Sequence, residues 1–127
     1  KLLYSCRFRE AIREIMALAQ EANRYLDNKA PWKKINEDKA SAAVSTFTVI
    51  GVISCLKTVF YPFLPFSSAI LHRLLGFEGR IEDGGWAFVI PQTGQRLPPP
   101  EHLFVKLDDK TVEKESALLA QSSLHPS

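Results

Sequence analysis

Trp32 lies between Pro31 and the pair Lys33 and Lys34, with Lys29 three residues earlier. These residue types suit the noncovalent capture of a flat, charged polymer. An indole stacks on an unpaired nucleobase for about 1–3 kcal/mol, and neighbouring lysines neutralise the phosphates of the same strand. Proline stiffens the connection that carries the ring. A second reading stands beside this one, since a tryptophan in a helix connection also folds back as a staple on the core. Residues suited to covalent chemistry are less well placed. His72, His102 and His125 are scattered, none at a metal-ligating spacing from Cys or carboxylate, and each reads as a surface histidine. Glu82 and Asp83 are adjacent in a turn-like setting and read as solvated charges, and "EDGGW" lacks the fingerprint of a phosphate loop. No G-x-S-x-G elbow occurs. Catalysis by this chain alone is therefore not expected.

The 127 residues are enough for one domain with a core, and 46% hydrophobic against 24% charged residues is a globular balance. The net charge of +2 does not announce a polyanion partner. Its distribution is uneven: residues 1–39 carry nine Lys or Arg against six Asp or Glu, and residues 108–127 two against four. A basic N-terminal part can steer RNA, and a solvated helix face accounts for the excess equally well. Cys6 and Cys55 form no C-x-x-C motif, which suggests a reduced, intracellular protein. The start, "KLLYSCRFRE", has no signal-peptide pattern and falls inside a patterned segment, as expected of a piece of a longer protein.

The elements that must position Trp32 are helices. Phe8, Ile12, Ile15, Ala19, Ala22 and Leu26 recur at steps of three and four, with Ala11, Leu18 and Tyr25 alongside, which predicts a helix with a broad apolar face ending before Pro31. The run 40–66 holds one charge, Lys57, and predicts a central bundle helix. A membrane span is the alternative for its apolar part, but Ala40 to Leu56 is 17 residues interspersed with Ser, Thr and Gly, against the ~20 apolar residues that a span requires. Pro62 and Pro65 bracket its end, Ser67 or Ser68 is expected to cap a short third helix, and Gly76 to end it. Beyond Gly76, "WAFVI" and "LFVKL" are expected as short strands or extended segments around the stiff Pro98 to Pro100. Lys110 to Leu119 predicts a marginal helix, followed by a frayed end.

One set of residues resembles a known family. Asn23-x-Tyr25, five residues, then Pro31-Trp32-Lys33, preceded by "REIMALA", resembles the anticodon-binding domain of methionyl-tRNA synthetase, a class I aminoacyl-tRNA synthetase. The likeness continues in order through the apolar helix, "YPFLPFSSAILHRLLG" and "LPPPEHLFVKLD", covering roughly residues 2 to 108. The resemblance implies a mainly α, antiparallel helical bundle with a small extended or β appendage. Residues 1–108 are expected to form this domain, shortened at its N-terminal end, and residues 109–127 a C-terminal tail.

The resemblance also implies a function, which is recognition of the CAU anticodon of methionine tRNA within a cytoplasmic ligase. Trp32 would stack on anticodon bases, Pro31 would support the ring, and Asn23 and Tyr25 would hold the connection against the bundle. Lys29, Lys33 and Lys34 would offer weaker phosphate contacts. Two features of the family have no counterpart here: an earlier helix whose Asn and Arg read bases, and the catalytic domain. ATP belongs to that catalytic part, with zinc as a further candidate, and no cofactor or membrane is expected for this piece. The alternative is a helical protein–protein interaction module without an RNA role, docking through Trp32 and Phe63 to Phe66.

Overall fold

The computed structural model describes residues 1–122. Helices α1 (Phe8–Lys29), α2 (Pro31–Lys34), α3 (Lys39–Phe60) and α4 (Pro65–Leu74) are followed by a 3₁₀ turn at Ile81–Gly84 and by α5 (Asp109–Ser122). The central element is α3, which packs against α1, α2 and α4. Consecutive helices joined by short connections pack antiparallel, and the fold is the mainly α bundle expected.

Helix boundaries follow local chemistry. At the start of α3 the Asp38 carboxylate accepts from the Ser41 N–H at 3.0 Å, satisfying one of the free donors of the first turn. Pro65 occupies the first turn of α4, where a missing N–H costs nothing, so Leu64 and not a serine precedes that helix. Ser68, expected as a cap, is instead buried inside it. At its far end the Gly76 N–H donates to the Arg73 carbonyl at 2.9 Å and the Phe77 N–H to the His72 carbonyl at 3.2 Å. This paired closure requires a left-handed residue, and Gly76 has φ +76°.

By length and composition α3 suffices to cross a membrane; it touches three neighbouring helices, yet only 22% of its most apolar stretch is buried among the described residues. Its hydroxyls are accommodated locally: Ser45, Thr46 and Thr48 donate to the carbonyls four residues back at 2.8–2.9 Å. Ser54, 1% exposed, donates instead to the Val89 carbonyl and so ties the following chain to the bundle. Gly51 is buried within α3, yet a Cβ there would meet nothing within 4 Å. Gly51→Ala is therefore expected to stabilise the chain by about 0.5–1 kcal/mol, from helix propensity and a less flexible unfolded state. Urea unfolding checks this, and a destabilised variant would show that the position has no room to spare.

Lys57 is 5% exposed. Its Nζ donates to His72 Nδ1 at 3.2 Å and sits 4.0 Å from the Phe77 ring centroid, while His72 Nε2 donates to the Glu78 carbonyl at 3.3 Å. Burial pushes the Lys57 ammonium below its ordinary value. His72 is thus a half-buried partner of this lysine, not the surface histidine expected from sequence. The one charge in the apolar run is accommodated by an acceptor and a ring contributed from beyond α3.

Other expectations are corrected by packing. Phe8 and Ile12 head the predicted apolar stripe, but they are 52% and 39% exposed, and the buried residues of α1 are Ala11 and Ile15. The stripe is wider than the surface that α3 offers it. Of the two readings open for "WAFVI" and "LFVKL", the strand is excluded among the described residues, because neither finds a second strand to bond. Glu82 and Asp83 are exposed but engaged: Glu82 accepts from the Tyr61 hydroxyl and from Arg80, and Asp83 from the Arg80 N–H at 3.1 Å. These bonds hold the Glu82 carboxyl down at about 2 from an ordinary 4.5, the Tyr61 hydroxyl foremost. The resulting stabilisation is complete above the ordinary value and is lost as pH falls through the depressed one.

The C-terminal helix exceeds its expected length, and Asp108 starts it by accepting from the Thr111 N–H at 2.8 Å. The end expected to fray, residues 120–127, is helical as far as Ser122; its remainder, with His125, lies outside the described residues, in 123–127. The chain exposes 10266 Å², whereas a compact monomer of this size exposes about 6,800 Å². Phe66, Phe104, Val105 and Leu107 are each at least 65% exposed and form much of the uncovered apolar surface.

Candidate nucleic-acid interface

The connection between α1 and α3 is a helical turn, not the open loop that its proline and charges suggest. Ala30 closes α1 in the left-handed region, φ +40°, its N–H donating to the Leu26 carbonyl at 2.8 Å. That reversal sends the chain back toward α3. Pro31 follows at the first position of α2, where its fixed φ suits a helix start and its ring is buried. The Lys33 N–H donates to the Ala30 carbonyl at 2.9 Å, and the Asp38 N–H to the Lys34 carbonyl at 2.7 Å. Both ends of the turn are thus bonded, and the indole is carried on a short rigid element.

Trp32 is 55% exposed. A staple would bury most of its ring, whereas here the ring borders an open groove of about 470 Å³ lined by α2 and α3. Trp32 and Ile35 form one side, and Ala42, Ala43 and Thr46 the other, with Lys39 also on the lining. The ring is therefore about half covered and keeps a substantial part of its surface open to solvent.

The remaining predicted residues fall into two groups. Tyr25 is half-buried on α1, with Lys29 Nζ 5.9 Å from its ring centroid. Together with Pro31 and Trp32 they cluster where α1 ends. Asn23 is exposed on α1, six residues or roughly 9 Å along the axis before Lys29. Lys33, Lys34 and Lys39 are exposed around the turn, opposed locally by Glu37 and by Asp38, whose carboxylate is engaged as the cap of α3. The result is an aromatic face beside a basic rim, the combination that binds single-stranded nucleic acid. Sequence reasoning missed Ile35, Lys39, Ala42, Ala43 and Thr46. The available signal was the run of small residues after Lys39, opposite a tryptophan that an intervening turn folds over them.

Comparison with known proteins points to the same kind of ligand. A profile described as the anticodon binding domain of methionyl tRNA ligase matches residues 1–122, and so includes α5. A methionine-tRNA ligase of Dehalococcoides mccartyi is 57% identical over 117 residues, covering 92% of this chain and 21% of that protein. Methionine-tRNA ligases of Thermomicrobium roseum and Roseiflexus castenholzii are 42% and 36% identical, covering 88% and 93% of this chain and 24% of each relative. The chain thus spans about a fifth to a quarter of the length of these curated relatives. With a profile match through every helix described here and the Pro31–Trp32 turn inside it, the chain belongs to the family of methionyl-tRNA ligase anticodon-binding domains.

Proposed function

We propose that this chain binds the anticodon loop of methionine tRNA, anticodon CAU, with Trp32 as the stacking platform and Pro31 as its rigid support. The observation that carries the reading is the half-exposed indole on a bonded, proline-started turn within a chain of this family. Lys29, Lys33 and Lys34 hold phosphates on either side of the stacked base. Tyr25 braces the end of α1, and Asn23 supports that end from the exposed face. Selective hydrogen bonding to the three bases belongs to the rest of the protein. So does the joining of methionine to tRNA with ATP in the cytoplasm, together with any zinc that the catalytic part binds. The uncovered apolar surface around Phe66, Phe104 and Val105 is where that catalytic part packs, which accounts for an exposed area well above that of a compact monomer.

The test is the salt dependence of binding between the 127-residue chain and a methionine-tRNA anticodon stem-loop. Three lysine–phosphate contacts to a single strand predict a slope of roughly −2 in log K against log salt. An affinity unchanged by salt would instead favour apolar docking of a protein partner and would overturn the proposal.

A further inference from the structure

An apolar groove of about 500 Å³ opens between α1, α3 and α4, and its lining includes Met16, Lys57, Phe60, Leu64, Leu71 and Phe104. It is remote from the Trp32 turn, since Lys57 follows Ala42 by 15 residues, roughly 22 Å along α3. The lysine is the unexpected member of this lining. It is 5% exposed, yet the four ion pairs among the described residues are made by Arg7, Arg24, Arg73 and Arg80, and no carboxylate pairs with Lys57. His72 and the Phe77 ring hold its Nζ without supplying a negative charge. The charge is therefore solvated by the protein but not neutralised, and burial pushes the ammonium below its ordinary value. A buried cation is normally paired, because removing it from water costs more than a neutral acceptor returns.

We infer that the groove seats a segment of the full-length ligase lying outside these residues, an apolar stretch with one Asp or Glu whose carboxylate neutralises Lys57. This rests on the reading that the rest of the protein packs on this face, and it names the contact that fixes where the packing occurs. The chain spans 21–24% of the length of its relatives, so the remainder has ample length to supply such a stretch. Its apolar side chains cover Met16, Leu64 and Phe104, all exposed in the chain by itself. Lys57 is part of the lining, and its flexible stem lets Nζ turn from His72 to the incoming oxygen. Apolar contact provides the area, and the lysine provides selection: a stretch with a Lys or Arg at that point would place like charges together in a site without water.

Lys57→Gln tests the charge, since glutamine keeps an N–H for His72. In the 127-residue chain the variant loses an unneutralised buried charge, so its melting midpoint should rise by a few degrees. In the full-length ligase it strands a buried carboxylate instead, and amide hydrogen exchange across α4 and residues 103–107 should quicken at least about tenfold. This reversal between the two contexts is the expected result. A raised midpoint in the chain with unchanged or slower exchange in the ligase would overturn the inference, because the groove would then be filled by apolar contact alone. A lowered midpoint in the chain would overturn it too, by showing that His72 and Phe77 suffice as partners of Lys57. The unsubstituted proteins separate this inference from the reading beneath it. If α4 and residues 103–107 exchange no more slowly in the ligase than in the chain, nothing packs on this face and both fall; slower exchange without the reversal removes the carboxylate alone.

Discussion

Trp32→Ala is expected to weaken binding of a methionine-tRNA anticodon stem-loop by roughly 5- to 150-fold, the loss of one base stack worth ~1–3 kcal/mol. The fold should persist. The indole is 55% exposed, and the turn beneath it is held by the buried Pro31 and by backbone bonds that do not involve the ring. Removing the covered part of the ring still costs something. About 100 Å² of apolar contact at 25 cal/mol per Å² is roughly 2.5 kcal/mol at most. Circular dichroism should therefore show unchanged helix content at 25 °C with a lowered midpoint on heating. Affinity measured well below that midpoint separates the two effects. If helix content and affinity fall in parallel, the tryptophan is a staple after all. Trp32→Phe should recover part of the binding, since a smaller ring still stacks.

Gly76→Ala should be among the most damaging single-methyl changes in the chain, at roughly 2–3 kcal/mol in urea unfolding. Two causes add. An L-residue in the left-handed region costs about 1–2 kcal/mol, and Gly76 has φ +76°. The new methyl would also meet the Gln95 amide nitrogen and lie 3.3 Å from the Arg96 carbonyl oxygen. Gln95 holds the chain after the 3₁₀ turn against the end of α4: its Nε2 donates to the Gly76 carbonyl and, at 3.3 Å, to the Leu75 carbonyl, while its Oε1 accepts from the Gln92 N–H at 3.1 Å. Displacing that side chain forfeits about 1 kcal/mol of hydrogen bonding beyond the strain. A double-mutant cycle with Gln95→Ala isolates the collision, because without the amide only the strain remains. A cost below 0.5 kcal/mol for Gly76→Ala would contradict this account.

The two positions differ in how much of their role could be read in advance. Gly76 as a helix stop is a local matter, because a left-handed residue closes a helix through bonds to carbonyls a few positions back. Its packing against Gln95, 19 residues later, is not local at all. Trp32 shows the same division. That a proline and a tryptophan interrupt two helices is plain from the spacing of apolar residues. Whether the ring would lie on the bundle or stand away from it depends on the tilt of α2 against α3, which the left-handed Ala30 establishes. The family, too, was recognisable from Asn23, Tyr25, Pro31 and Trp32, since those residue types stand at constrained positions of one short segment.

The sequence by itself determined the helices, because periodicity, prolines and caps act within a few residues of one another. It determined the chemistry available at the connection, an indole among lysines. The tertiary structure alone decided which apolar faces are covered. Phe8 and Ile12 remain exposed while Ser54 and Lys57 are buried, the reverse of what hydropathy ranks, because Val89 and His72 supply their partners from 35 and 15 residues away. It also decided that a groove opens beside Trp32. A groove exists between two elements, and its shape depends on the distance between them, a quantity that no run of residues carries along the chain.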